Sequence, residues 1–279
     1  MLHHYSPIAG VNNVSYILHS WGLEVLELHN MNLLRRILAK YAATRAKKII
    51  VDAECLKKTW LQVGIPENKL EVIPFGVDTN LFNPKAHRKD IRRKLDIKEN
   101  DIVIISTRPF FNHYNVDCLI KATPRIIKKH SNVKLIIKGK GPLENKLREL
   151  AHDLGVDQHI RFTGTVPYEE MPHYLAASDI YVSTSFVDST SVSLLEAMAC
   201  ALPPVTALIP GNQEWIKNQI NGLLYPPKDH EALAEKITQL IEHEDLRKHF
   251  GERSHQIIME KATWKECVSK MEAIYQSLT

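Results

Sequence analysis

Short runs of Val, Ile and Leu alternate along this chain with longer stretches of helical periodicity, and no other feature restricts the fold as much. The apolar runs at 14–20, 47–53, 70–75, 101–107, 133–139, 160–166, 179–185 and 202–208 read as strands. Helices are expected at 31–45, 54–63, 115–130, 143–154, 169–177, 190–201, 213–219 and 229–242, and, with breaks, over 245–278. Strand followed by helix, repeated, predicts an α/β chain whose parallel sheets are covered on both faces. The strands fall into two groups, three ending near Phe82 and five starting near Asp101. The turn-rich and then highly charged segment 76–101 between them suits a linker. Three parallel strands leave edges and apolar faces uncovered, so the first group either lacks strands upstream or leans on the second.

Composition excludes some classes. The chain has 279 residues, 44% hydrophobic and 24% charged, with a net charge of +4 that identifies no partner by itself. Cysteines 55, 118, 200 and 267 lack metal or redox spacing and read as reduced core residues of a cytosolic protein. No apolar run approaches the ~20 residues of a membrane span, and MLHHYSPIAGVNN has no signal-peptide pattern. Basic residues are dispersed without an aromatic platform, which argues against nucleic acid.

The stretch FVDSTSVSLLEAMACALPPV (186–205) carries the most chemistry. Asp188, Ser189, Thr190 and Ser191 form a polar turn before an apolar helix, where free amides and the helix dipole suit an anion. Glu196 sits inside that helix, and a buried carboxylate is costly without donors. Ser193, three residues earlier on the same face, supplies one at most. Helical side chains lean toward the N-terminus, so Glu196 points back toward the turn. A nucleoside diphosphate, with phosphates at the turn and a ribose diol one turn deeper, satisfies both features. A helix cap followed by a core Glu bonded to backbone is the plain alternative.

This stretch resembles the signature of family 4 (group 1) retaining glycosyltransferases, in which two acidic residues are separated by seven others. The resemblance implies a GT-B fold, with two Rossmann-like parallel-sheet domains facing a cleft and the N-terminal one truncated. It implies that Glu196 holds ribose hydroxyls, that Asp188 faces the donor sugar, and that the amides of Ser189, Thr190, Ser191 and Val192 meet sugar or phosphate. Asp188 departs from the family's usual Glu, and Ala201 and Pro204 depart by what look like packing changes. Arg108, in STRPFFNHYNVDCLIKA (106–122), matches an arginine that contacts donor phosphates. The family's following Lys is replaced by His113, Tyr114 and Asn115, and His113 replaces it in part when protonated. IIKGKGPLENKL (136–147) is similar to a segment beside the nucleotide; Gly139 and Gly141 admit a ligand or a neighbouring strand, and Lys140 adds charge. Backbone near Val166 resembles the base contact. Segments 73–84, 209–216 and 221–229 match further landmarks in order. His19, within LHSWGLEVL (18–26), is a catalytic-support candidate or a core histidine, and Glu24 stands where relatives often carry Asp.

The implied domains are 1–84 (partial, acceptor side), 85–260 (nucleotide-sugar binding) and 261–279 (a helix crossing back). The implied reaction moves a sugar from a UDP- or GDP-sugar to the hydroxyl of a glycan or lipid-linked acceptor, with retention, as in polysaccharide biosynthesis. Arg108, the helix start after Asp188, and Lys140 stabilise the leaving diphosphate. No carboxylate cluster for a divalent ion is visible, and neither a metal nor another cofactor is expected. Two alternatives stay open: a non-catalytic nucleotide-sugar-binding fragment, and a GT-B sugar-nucleotide epimerase. The segment 31–48 is amphipathic, with Leu34, Ile37, Leu38 and Tyr41 at helical spacing among Arg35, Arg36, Lys40, Arg45, Lys47 and Lys48. It reads as a solvated surface helix or as a peripheral contact with anionic membrane at the cytoplasmic face.

Overall fold

A computed structural model describes residues 15–22, 26, 32–85 and 89–277. The readings at Glu24, at the start of the first strand and at the end of the last helix lie outside these residues. The described chain divides into two compact units.

In the first unit β1 (Ile17–Ser20), β2 (Lys48–Val51) and β3 (Leu70–Val72) form a parallel sheet in the order β1-β2-β3. The helices α1 (Leu33–Arg45) and α2 (Glu54–Gln62) connect them. Asn32 caps α1 by accepting the Arg35 amide. Leu18, Ala43, Ile49, Val51, Leu56 and Trp60 share one core. Three consecutive residues of β2 are buried, as a strand covered on both faces requires. The stretch 187–191 and the helix running from Trp264 to Gln276 also belong to this unit.

The buried face of α1 is built from small residues. Ala39, Ala42 and Ala43 are buried, whereas Leu33, Leu34 and Ile37 are more than half exposed. Alanines let the helix approach the sheet closely, and the large side chains are left outside.

The second unit is a six-stranded parallel sheet ordered β6-β5-β4-β7-β8-β9. Its strands are β4 (Ile102–Ser106), β5 (Val133–Lys138), β6 (Ile160–Gly164), β7 (Ile180–Ser183), β8 (Pro204–Ala207) and β9 (Leu223–Tyr225). The apolar pattern does not reveal β9, whose three residues are enclosed by the turn signals Asn221-Gly222 and Pro226-Pro227. The crossover segments carry α3 (Lys89–Lys94), α4 (Val116–Lys129), α5 (Glu144–Asp153), α6 (Met171–Ala176), α7 (Val192–Ala199), α8 (Pro210–Trp215), α9 (His230–Glu242) and α10 (Glu244–Lys261). The helix expected at 213–219 starts earlier because Pro210, with its preset φ, occupies the first turn. The final helix, α11 (Trp264–Gln276), belongs to the first unit.

Strand alternation divides the sheet's side chains between two cores. Ile104, Leu135, Ile137, Val182 and Val205 pack with α4, α5 and α9. Val103, Ile105, Ile136 and Tyr181 pack with α6 and α7. The compact second unit begins at Val77. Val77 donates to the Ala262 carbonyl at 2.8 Å, and Phe82 is fully buried in the second core.

The C-terminal end of α7 rests on α10 through a close backbone approach. A Cβ on Gly251 would fall well inside contact distance of the Ala201 carbonyl oxygen. Ala201 itself has φ +56°, so this departure from the family is a matter of backbone conformation and not packing alone. Gly251→Ala is expected to destabilise by about 2 kcal/mol net through overpacking, despite ~1 kcal/mol of helix propensity gained. Ala201→Gly is expected to gain roughly 0.5 kcal/mol, because ~1–2 kcal/mol of relieved strain is partly offset by ~0.5–1 kcal/mol of backbone entropy. Urea unfolding of the two variants checks both signs.

Candidate functional site

The sequence candidates fall in both units. In the second, β4 ends at Ser106 and delivers Arg108, which is nearly buried. Its Nη1 donates to the Ser193 hydroxyl at 2.9 Å, and its guanidinium lies 4.2 Å from the centre of the Tyr114 ring. Tyr181 on β7 shares a 2.9 Å hydrogen bond with the same hydroxyl. Ser193, on the first turn of α7, thus anchors the arginine. Tyr114 closes a 3-10 turn at Asn112–Tyr114, in which the His113 ring packs 4.1 Å from Tyr114 and stacks on Phe111.

The Gly-x-Gly turn serves this arginine too. A Cβ at Gly139 would sit 2.5 Å from the Arg108 carbonyl oxygen, and one at Gly141 would sit 2.5 Å from that of Phe110. The Phe110 amide donates to the Lys140 carbonyl at 3.1 Å. Both glycines therefore admit a neighbouring backbone segment, the one that carries Arg108. Lys140 itself is at the surface, outside the buried set. Val166 lines a cleft of about 560 Å³ with Phe162, Thr165 and Pro167, a lining that includes neither Arg108 nor Glu196.

Glu196 is buried in α7 at 5% exposure. Burial pushes its carboxyl up to about 7, while a hydrogen bond from the Tyr168 side chain and the charge of Lys138 pull it back. The lowering interaction comes from the 3-10 turn Tyr168–Glu170. Tyr168 packs on Phe82 at 5.2 Å. Sequence reasoning missed Tyr168 and Lys138. Both lie in segments noted for other residues, but 28 and 58 positions away from Glu196, and nothing local signals the contact.

In the first unit, His19 on β1 shares a 2.7 Å hydrogen bond through Nε2 with the Tyr275 hydroxyl of α11. Its ring meets Trp21 edge-on at 5.2 Å. Burial holds its pKa below the usual value and favours the neutral imidazole. The acidic turn 187–191 belongs to this unit, and here a residue not singled out from the sequence organises it. Asp52, following β2, is 1% exposed. Its Oδ2 accepts the Ser189 hydroxyl at 2.8 Å and the Thr190 amide at 3.3 Å, and its carbonyl accepts the Thr190 hydroxyl at 2.6 Å. Of the amides expected to meet the donor, that of Thr190 is thus directed at an internal aspartate, together with the hydroxyls of Ser189 and Thr190. Val192 opens α7 itself and is partly exposed, Ser191 is buried, and Asp188 is half-buried. The remaining signal for Asp52 is an acid directly after a fully buried strand.

Burial pushes Asp52 up to about 6, against the pull of its Ser189 and Thr190 bonds and with a push from the Asp188 charge. Asp52 Oδ1 is buried without a partner.

This geometry defines a class: an α/β protein with Rossmann-like parallel-sheet units, in which a cationic residue and a buried carboxylate are gathered at one helix. Residues 87–257, more than half of the chain, match the family Glycosyl transferases group 1, and the chain belongs to that family. An uncharacterized glycosyltransferase of Methanocaldococcus jannaschii is 25% identical over 233 residues, 82% of this chain and 60% of that protein. The GDP-mannose-dependent alpha-(1-6)-phosphatidylinositol monomannoside mannosyltransferase of Mycobacterium tuberculosis is 28% identical over 214 residues, 74% of this chain and 55% of that protein. The crystal structure of Anabaena HepE in complex with UDP-glucose superposes with a TM-score of 0.88 at 20% identity, covering 97% of this chain and 75% of that one. The fold is that of GT-B glycosyltransferases. The chain spans somewhat over half the length of these curated relatives.

A carboxyl that titrates near 6 when folded and near 3.8 when unfolded destabilises the fold by about 3 kcal/mol above pH 6, and not at all below pH 3.8. Asp52→Asn keeps an acceptor for Ser189 and Thr190 and removes the charge. Its melting temperature is expected to rise relative to wild type as pH climbs from 4 to 6, with the gain level above that. Thermal unfolding across pH checks this; a difference independent of pH refutes the titration of Asp52 in that window.

Proposed function

We propose that this chain binds a nucleoside-diphosphate sugar and transfers the sugar, with retention, to an acceptor hydroxyl. The observation that carries the reading is the pairing on α7 of Ser193, which holds Arg108, with the buried Glu196 one turn deeper. A carboxylate kept in an apolar helix needs hydroxyl donors, and the Tyr168 hydroxyl supplies one. A ribose diol supplies two. Arg108 faces the phosphates, whose developing charge on departure is the main barrier to be lowered. Asp188 faces the donor sugar, and His19 supports the acceptor side as a neutral imidazole. The names of relatives divide between UDP and GDP nucleotides, so the donor test uses both.

Glu196→Gln and Arg108→Met are each expected to weaken donor binding roughly 10- to 100-fold with folding intact, the range for a hydrogen bond to a charged group. Calorimetry with UDP-glucose and GDP-mannose measures it. Glu196 accepts hydroxyls best when ionised. Wild-type affinity for the nucleotide sugar should therefore fall as pH drops below about 7, and Glu196→Gln should lose that dependence. Donor hydrolysis or transfer to added acceptors, followed by product analysis, separates the transferase from a binding fragment or an epimerase.

The exposed face of α1 supports a lipid-linked acceptor. Leu33, Leu34 and Ile37 project to solvent, and a groove beside α2 is lined by Leu33, Arg36, Ile37, Lys40 and Val63. Apolar side chains flanked by cations suit an anionic bilayer surface. No helix among the described residues is long and apolar enough to cross a membrane. Sedimentation with phosphatidylglycerol vesicles is expected to pull down wild type at low salt and to lose Ile37→Glu. Absence of anionic-lipid dependence removes the membrane contact.

A further inference from the structure

Lys138 is the last residue of β5 and is 7% exposed. Successive side chains of that strand alternate between the two cores, with Leu135 and Ile137 in the one that includes α4 and Ile136 in the one that includes α7. Lys138 shares the parity of Ile136, although the register of β5 against β6 shifts by one residue between Ile137 and Lys138. Glu196 is carried by α7, and its charge is the one that acts on Lys138. Among the described residues no carboxylate oxygen lies within 4.0 Å of the ammonium, and no hydrogen bond engages it. The lysine is mostly buried yet its ammonium engages no acceptor among the described residues, an expensive placement that the chain keeps near a buried carboxylate.

The second cation on this face comes from the adjacent strand. β4 and β5 pair with Ser106 opposite Ile137, so Arg108 and Lys138 leave neighbouring strand ends. The Arg108 carbonyl abuts Gly139, the residue after Lys138. Arg108 is tied to Ser193, and Lys138 is coupled to Glu196, three residues further along the same helix face. Arg108 is thus bonded to the first turn of α7, and Lys138 feels the carboxylate one turn further on. An occupant that satisfies all three carries anionic oxygens and hydroxyls together.

We infer that Lys138 is a second cationic donor-binding residue, which with Arg108 holds the diphosphate of the nucleotide sugar while Glu196 takes its hydroxyls. The inference rests on the nucleotide-sugar reading of this site and adds to it a residue that no local motif marks. Lys138 supplies, from a buried position, charge that Lys140 at the surface offers only through solvent.

The test compares wild type, Lys138→Met, Lys138→Arg and Lys134→Met in calorimetric titrations with UDP, GDP, uridine and guanosine at two salt concentrations. Lys134, at the other end of β5 and bonded to the Gln158 carbonyl, controls for charge at large. Replacing a buried lysine by methionine preserves apolar volume, and melting curves verify folding. Lys138→Met is expected to weaken diphosphate binding roughly 10- to 100-fold, to reduce its salt dependence, and to leave nucleoside binding within about twofold. Lys138→Arg should retain most of the affinity, and Lys134→Met all of it. Equal losses for diphosphate and nucleoside, or no loss, overturn the inference while leaving the donor site standing. If wild type binds neither diphosphate, the nucleotide-sugar reading fails, and this inference falls with it.

Discussion

A helix that is apolar around nearly its whole circumference has to be buried, and every polar residue it carries then needs a partner from elsewhere. That constraint on α7 organises the second unit. Leu194, Leu195 and Met198 pack against Val103, Ile105 and Ile136 of the sheet. Ser193 and Glu196 are carried into the same low-dielectric surroundings. Their partners arrive from three separate segments: Arg108 beyond β4, Tyr181 on β7, and Tyr168 before α6. The sheet brings these segments to one place because parallel strands all end on the same side.

The fold was legible where the physics is local. Strands buried on both faces read as continuous apolar runs, and eight of the nine described strands are visible; β9 escapes because turn signals enclose it on both sides. The start of α8 was displaced because Pro210 was not weighed as a first-turn residue. On α1, spacing identifies the helix, while the alanines that make its contact carry no periodic signal of their own. The site followed the same rule. Glu196 stands out as a carboxylate inside an apolar helix, whereas Arg108 is marked by the family resemblance alone. Asp52 was hidden because its meaning depends on Ser189 and Thr190, 137 and 138 positions later. The glycines of the Gly-x-Gly turn were visible as backbone signals, but only the structure shows that they admit the Arg108 segment.

Asp52 and Glu196 pose one electrostatic problem with two solutions. Both are desolvated, and both are pushed well above the ordinary carboxylate range by burial. Asp52 recruits a hydroxyl and an amide to one oxygen and leaves the other without a partner. Glu196 has a tyrosine hydroxyl and a lysine that does not reach it. Neither arrangement stabilises the fold, because an uncharged residue of similar volume at either position would avoid the desolvation cost. Retained cost of this kind marks positions kept for chemistry more than for packing.

The engagement of Ser189 and Thr190 also changes how a diphosphate would be neutralised. A polar turn before a helix binds anions through free amides and hydroxyls. Here the Thr190 amide and two hydroxyls already point at Asp52. The turn therefore brings less positive potential than its composition suggests, and a half-buried Asp188 lowers it further. On the proposed reading, fixed cations carry the larger share. Arg108 is held in place by Ser193 and by the Tyr114 ring, so its charge is oriented before a ligand arrives. Preorganised charge in a buried setting stabilises a departing anion more effectively than a mobile surface lysine, because no reorganisation is left to be done when the bond breaks.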